Sequence, residues 1–168
     1  PARSAFFTDE LAQFFALSRE EGFDMLTVKG SYAGAMGLGQ FMPSSYRKYA
    51  KDGDGDGKRD LFKSKQDAYA SIANYFIGFG WQTGKPTFVR ATASAGAPAF
   101  KPENWEANFS LKDLQSKGYT PNQKVPDMPA TLLTLEGAGG TEHWIGFKNF
   151  WVITRYNRSP MYAMAVYQ

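Results

Sequence analysis

The sequence predicts an α+β chain in which a mostly helical core is interrupted by a small β-containing domain. Helical spacing of apolar residues holds over 8–22 and 64–80, gives way after Trp81 to Thr/Val/Pro/Gly-rich segments, and returns from Asn149. A chain of 168 residues can bury one lobed core with a small satellite. The expected division is a first part of the core over 1–80, an inserted domain over 81–146 and the last part of the core over 147–168.

The first helix is expected from Thr8 as N-cap, with Asp9 and Glu10 in its first turn and Leu11, Phe14, Phe15 and Ser18 on the buried face. Gly22 is its stop. Residues 29–43 place four Gly among apolar residues with neither helical nor strand period, which reads as a tight, constrained loop. Ser44 or Ser45 can cap a short helix through Tyr49. Ser64-Lys-Gln-Asp67 fits a capping box, and Ala68, Ile72, Phe76 and Phe79 then form the apolar stripe of a buried helix ending at Gly78 or Gly80. In the satellite, residues 87–92 read as a strand and Ser110 starts a short helix ended by Gly118. Residues 131–135 and 142–147 flank Gly137-Ala-Gly-Gly140 as a hairpin with a longer loop.

Composition removes several function classes. The chain has no Cys, so disulfides, zinc–thiolate sites and thiol nucleophiles are excluded. Net charge is +3, but the basic residues are interleaved with acids and form no run that would track a phosphate backbone, so nucleic acid is not an expected partner. No stretch approaches the ~18 apolar residues of a membrane span. His143, the only His, has no Asp or Ser at a suggestive position and makes no nucleophilic triad.

Asp52-Gly-Asp-Gly-Asp-Gly-Lys-Arg-Asp60 is a calcium-loop signature. Carboxylates fall at loop positions 1, 3, 5 and 9 with Gly at 6, so alternate side chains of a curled loop converge on one centre. Expected ligands are Asp52, Asp54, Asp56 and the Lys58 backbone oxygen. The twelfth position, ordinarily a bidentate Glu, is Lys63. Either Asp67 closes a longer loop over 52–67 or it only caps its helix, and Asp60 is a further candidate. The implied cofactor is a structural Ca2+.

Ser31, Gln40 and Asn157 are polar side chains within segments of buried character, and Tyr75, Tyr156 and Tyr162 add amphipathic rings. Such a set suits a sugar cleft, because amides and hydroxyls bond both donors and acceptors on a glycan; satisfying nearby turns is the alternative use. Gly30-Ser-Tyr-Ala-Gly-Ala-Met-Gly-Leu-Gly-Gln-Phe-Met-Pro-Ser-Ser-Tyr46, Ala73-Asn-Tyr-Phe76, Ile153-Thr-Arg-Tyr-Asn157 and Tyr162-Ala-Met-Ala-Val166 together closely resemble the B-type lytic transglycosylases of Gram-negative bacteria.

The resemblance implies a lysozyme-like core with an EF-hand-like calcium site and a small inserted domain, acting on peptidoglycan glycan strands in the periplasm. The parent protein would be soluble or lipid-anchored, with cell-wall synthesis or remodelling proteins as further partners. Such enzymes cleave between N-acetylmuramic acid and N-acetylglucosamine without water and leave 1,6-anhydro ends, one glutamate serving as acid and then base. The resemblance puts Ser31 and Gln40 at the centre of the cleft, Phe41, Tyr75 and Tyr162 against sugar rings, and Tyr156 and Asn157 near the acid. Arg3 is placed to hold a peptide or lactyl carboxylate. The family's Glu-Thr/Ser-Arg-Trp-Gly-like motif does not occur here, so the expectation is a fragment whose catalytic Glu lies upstream and which is inactive alone. The alternatives are a natural short form and a non-catalytic peptidoglycan-binding module stabilised by calcium.

Overall fold

The computed structural model describes residues 3–168. They form two compact units, the first ending at Gly78 and the second running from Phe79 to Gln168.

In the first unit, α1 (Ser4–Glu21) ends at Gly22, whose φ of 70° lets its N–H close on the Ser18 carbonyl at 3.0 Å. The helix starts a turn earlier than the expected Thr8 cap. Arg3 stands at the N-cap, and the Thr8 hydroxyl bonds back to the Ser4 carbonyl at 3.1 Å, as a hydroxyl does inside a helix. The expected buried face also shifts: Ser18 is buried as expected, but Leu11 and Phe15 are 52% and 41% exposed, whereas Glu10 and Leu17 are buried. A hydrogen bond outweighs hydropathy here. Glu10 accepts from the Ser44 N–H at 3.0 Å and the Ser44 hydroxyl at 2.6 Å at the start of α2 (Pro43–Tyr49). Glu10 and Leu17, two turns apart, therefore share the side that meets α2. No side chain of α2's own segment caps it, so the expected cap at Ser44 or Ser45 is replaced by one from α1.

The glycine-rich segment is folded on itself by isolated antiparallel bridges from Gly30 to Met36 and from Met36 to Phe41. Gly37, at φ 72°, passes so near Leu61 that a Cβ would lie 2.5 Å from its carbonyl oxygen. Helix α3 (Lys65–Gly78) begins as expected, with Ser64 Oγ accepting from the Asp67 N–H at 3.2 Å. Its buried residues are Asp67, Ala68, Ser71 and Tyr75, while the expected Ile72 and Phe76 are half-buried. The stripe is rotated because Asp67 and Ser71 turn inward to bond backbone groups of the preceding loop.

The second unit is built on an antiparallel sheet in the order β2-β1-β4-β3, from β1 (Phe88–Ala93), β2 (Tyr119–Pro121), β3 (Thr131–Gly137) and β4 (Gly140–Gly146). The hairpin is tighter than expected: Gly137 pairs with Gly140, leaving a two-residue turn that the Gly140 φ of 109° permits. Alternation places Val89, Ala91, Tyr119, Leu132 and Ile145 on one face, where Leu111 and Leu114 of α4 (Leu111–Ser116) cover them. The capping box of α4 is complete, with Ser110 and Asp113 exchanging bonds at 3.0 and 2.9 Å. Helices α5 (Lys148–Tyr156) and α6 (Pro160–Tyr167) complete this unit.

Replacing Glu10 with Ala should lower unfolding stability by about 1–3 kcal/mol, because it strips the acceptors from a part-buried N–H and hydroxyl. Urea titrations of this variant against Glu10→Gln, which keeps one acceptor, would measure the effect.

Candidate functional site

Residues 52–60 curl into an exposed loop in which carboxylate oxygens of Asp52, Asp54 and Asp56 all lie within 4.8 Å of one another. Oxygens bound to one Ca2+ at about 2.4 Å are at most about 4.8 Å apart, so the spacing fits a shared ion. The loop is preformed by its own backbone. Asp52 accepts from the N–H groups of Gly55 at 2.6 Å and Gly57 at 2.8 Å, and both glycines take positive φ of 80–85°. The Gly57 N–H above all, helped by that of Gly55, holds the Asp52 carboxyl below the usual carboxylate range, against the desolvation that would raise it. Three like charges this close repel, so the cluster can hold a metal ion that relieves them.

Asp67 and Asp60 are not part of that trio. Asp67 is 1% exposed; one oxygen accepts from Gly53 N–H at 2.8 Å and the other from Asp60 N–H at 2.7 Å. A single carboxylate thus ties both ends of the acidic loop to α3. Asp60 accepts from Phe62 and Lys63 N–H at 2.9 and 3.0 Å, and Lys58 donates its N–H to Asp56 at 2.8 Å. The loop exit is pinned by Tyr46, whose hydroxyl donates to the Arg59 carbonyl and accepts from Leu61 N–H at 3.0 Å. Burial pushes the Tyr46 pKa up to about 12, so this hydroxyl keeps its proton.

Among the polar and aromatic candidates, the first unit groups Phe41 and Tyr75, ring centroids 5.6 Å apart, with Tyr49 edge-on to Tyr75 at 4.9 Å. Gln40 stands beside Phe41 at φ 47°, an uncommon backbone region for a side chain other than Gly or Asn, steadied by its Nε2 donating to the Gly37 carbonyl at 3.0 Å. The loop aims an amide outward at a strained position, as functional sites often do. Ser31 accepts from Ala35 N–H at 3.1 Å, and Arg3 lies over the Phe7 ring at 5.8 Å. In the second unit, Tyr156 and Tyr162 stack at 6.4 Å and 25°, and Asn157 accepts from Ser159 N–H at 3.1 Å between them.

Most of the glutamates are engaged. Glu10 bonds Ser44; Glu20 pairs with Arg47 at 2.6 Å and Glu21 with Arg59; Glu142 binds Arg90 at 2.8 Å and the Trp144 ring N–H at 3.2 Å; Glu136 accepts from Thr141 at 3.2 Å. The Arg47 fork holds the Glu20 carboxyl below its usual range. Glu103 and Glu106 lie exposed in the satellite. Sequence reasoning missed Glu10 as a structural anchor. Its signal was a Pro-Ser-Ser helix start with no acid three residues on, which calls for a cap from elsewhere.

The first unit thus presents a convergent acidic loop and an exposed Gln in a glycine-rich turn, and the second carries a Tyr pair on α5 and α6, amides and rings of the kind that line small-molecule sites. Residues 1–168 match the model of the transglycosylase SLT domain, and the chain belongs to that family. It is 44% identical over its whole length to membrane-bound lytic murein transglycosylase B of Escherichia coli K12, covering 46% of that protein. The soluble lytic transglycosylase SltB1 of Pseudomonas aeruginosa matches with a TM-score of 0.92 at 46% identity; all of this chain and 56% of that one are covered. The E. coli lytic transglycosylase Slt35 in complex with calcium matches at 0.90 and 44% identity, with 53% of that chain covered. The chain thus spans about half the length of these relatives. Its fold is the mixed helical and antiparallel, lysozyme-like one of Slt35.

Asp67→Asn removes one of two acceptors and turns an amide N–H toward a backbone N–H. It should cost about 1–3 kcal/mol and raise amide exchange at Gly53 and Asp60, read by hydrogen-exchange NMR.

Proposed function

We propose that this chain supplies the glycan-binding wall and the calcium brace of a peptidoglycan lytic transglycosylase. The observation that carries the reading is the match of the complete chain to that family at 44% identity and a TM-score of 0.90, with Gln40 held outward beside Phe41. Relatives solved with ligands support it: Slt35 with bulgecin A, and SltB3 of P. aeruginosa, 34% identical, with NAG-anhNAM-pentapeptide.

In this reading Gln40 and Ser31 hydrogen-bond N-acetyl and hydroxyl groups at the centre of the cleft, and Phe41, Tyr75 and Tyr162 pack against sugar rings, Phe41 and Tyr75 through the little surface that their burial leaves. Tyr156 and Asn157 stand near the catalytic acid, and Arg3 neutralises a lactyl or peptide carboxylate. One carboxylic acid is enough for such a cleavage. The muramic 6-hydroxyl closes on its own anomeric carbon, and the neighbouring N-acetyl group replaces the second carboxylate of an ordinary glycosidase. The family's Glu-Thr/Ser-Arg-Trp-Gly-like motif does not occur in residues 1–168, so in this reading the acid is carried outside them.

Asp52, Asp54 and Asp56 hold a structural Ca2+ of EF-hand-like geometry, with Lys58 backbone oxygen completing the set and Asp60 or Asp67 closing it. The satellite is an insertion into the lysozyme-like core, spanning 81–146. The working compartment is the periplasm, where cell-wall synthesis or remodelling proteins are the expected neighbours.

The protein extended to its relatives' length should release 1,6-anhydromuropeptides from purified sacculi, and Gln40→Ala should slow release about five- to tenfold, the value of one hydrogen bond to substrate. Reducing-end products would instead establish hydrolysis. Residues 1–168 alone should sediment with sacculi and release nothing.

Calcium should raise the melting temperature, and Asp52→Asn with Asp56→Asn should abolish the rise; no rise in the unmutated chain would sink the metal assignment. Because Asp52 titrates below its ordinary value of 3.8, its contribution is complete above that value and is lost as pH falls through the lower folded pKa. The Asp52 share of the calcium-dependent shift, read as the difference from Asp52→Asn, should therefore persist at pH 5 and be lost only on acidification below 3.8.

A further inference from the structure

The second unit contains a cavity of about 770 Å³ that none of the residues assigned above lines. Its floor is the outer end of one sheet face, where Ala93, Tyr119, His143 and Thr134 lie side by side and the Thr134 hydroxyl meets His143 Nδ1 at 3.2 Å. Its roof is the segment 94–105, which contributes Phe100, Lys101 and Trp105. The roof is fixed in place. Ser94 N–H bonds the Gly118 carbonyl at 2.8 Å, Ala97 N–H bonds the Ser94 carbonyl at 3.0 Å, and the Tyr119 hydroxyl donates to the Pro98 carbonyl at 2.9 Å. Small side chains at Ala93, Gly96, Ala97 and Ala99 leave the space open.

The cavity runs along four consecutive residues of β3, from Leu132 to Leu135, and β3 is the last strand of the sheet. Ala130 exchanges both backbone bonds with Phe109, at 2.7 and 3.0 Å, on the side away from β4. Antiparallel pairing alternates with a period of two, so Leu132 and Thr134 present their N–H and C=O groups to that same open side. No strand takes them up among the described residues. At the rim, Lys101 makes no salt bridge among the described residues, and the Lys117 ammonium lies 4.8 Å from the centre of the Phe100 ring.

An open main-chain edge, a partly aromatic wall and the Lys101 ammonium at the rim call for an extended amide backbone bearing a carboxylate. We infer that this cavity binds the acidic stem peptide that muramic acid carries on its lactyl group, seated as an added strand on β3. The inference rests on peptidoglycan being the substrate. It gives the second unit a role of its own, which is to hold a stem peptide.

The test is NMR titration of the isotopically labelled 168-residue chain with three probes: a free stem pentapeptide, tetra-N-acetylchitotetraose, and an all-L acidic pentapeptide. The stem peptide should shift the amides of residues 132–135 and of His143, and slow hydrogen exchange at Leu132 and Thr134 more than at Leu133 and Leu135. Trp105→Ala and Lys101→Glu should each weaken this binding by about fivefold or more. Ala99→Trp, at an exposed position that fills the cavity, should abolish it without altering the rest of the spectrum. The chitotetraose should shift the regions of Ser31, Gln40 and Tyr75 and of Tyr156 to Tyr162 but leave residues 132–135 unmoved, in all variants. Absence of stem-peptide shifts while chitotetraose still binds would overturn this inference and leave the function standing. Loss of chitotetraose binding alone would count against the function instead. Binding of the all-L peptide in preference to the stem peptide would overturn the inference in favour of a protein partner.

Discussion

The buried carboxylate of Asp67 sets the geometry on which the first unit depends. Its two oxygens take the N–H groups of Gly53 and Asp60, which bracket the acidic loop, so a side chain of α3 defines both where the loop starts and where it ends. Gly53 must be glycine for this to happen, since a Cβ there would lie 2.3 Å from the Gln66 carbonyl oxygen. With its ends fixed, the loop can close Asp52, Asp54 and Asp56 onto one centre at little further conformational cost. The Tyr46 hydroxyl carries the same restraint toward Leu61, whose carbonyl in turn takes the Leu38 N–H at 2.7 Å in the glycine-rich segment. The metal loop and the segment bearing Gln40 are therefore connected through a short chain of hydrogen bonds within one unit.

Glu10 does for α2 what Asp67 does for the loop. Both are carboxylates at least 92% buried, and both have their oxygens engaged by N–H or O–H donors. Buried charges of this kind are tolerable only when paired or hydrogen-bonded. Their use as acceptors for backbone ends also explains why neither stands free for acid–base chemistry. In the second unit the organising element is different: a four-stranded sheet with one covered face and an open last edge, which leaves a cavity along β3 lined in part by Tyr119 and Lys101.

Much of the architecture was legible because it rests on local rules. The Ser110–Asp113 capping box, the Gly22 stop, the strand at 87–92 and the hairpin about Gly137–Gly140 each follow from residues a few positions apart. The errors share one cause. Hydropathy and local capping alone point to Thr8 as a cap and to Leu11 and Phe15 as core, whereas Glu10 is buried by a bond to Ser44, 34 residues away. The stripe of α3 was misread by about one position for the same reason, its inward face being set by Asp67 and Ser71 reaching back to the loop.

The sequence by itself determined the class of elements, the convergence of three aspartates at alternate positions and the family motifs, since these depend on periodicity, turn chemistry and residue identity along the chain. Only the tertiary structure decided that Asp67 anchors the loop ends, that Gln40 is held outward at positive φ beside the Phe41–Tyr75 pair, and that β3 is left as an open edge beneath a partly aromatic roof. Those outcomes hinge on which distant backbone groups compete for a buried acceptor and on which strand lies last in the sheet, and neither is encoded within the reach of a local pattern.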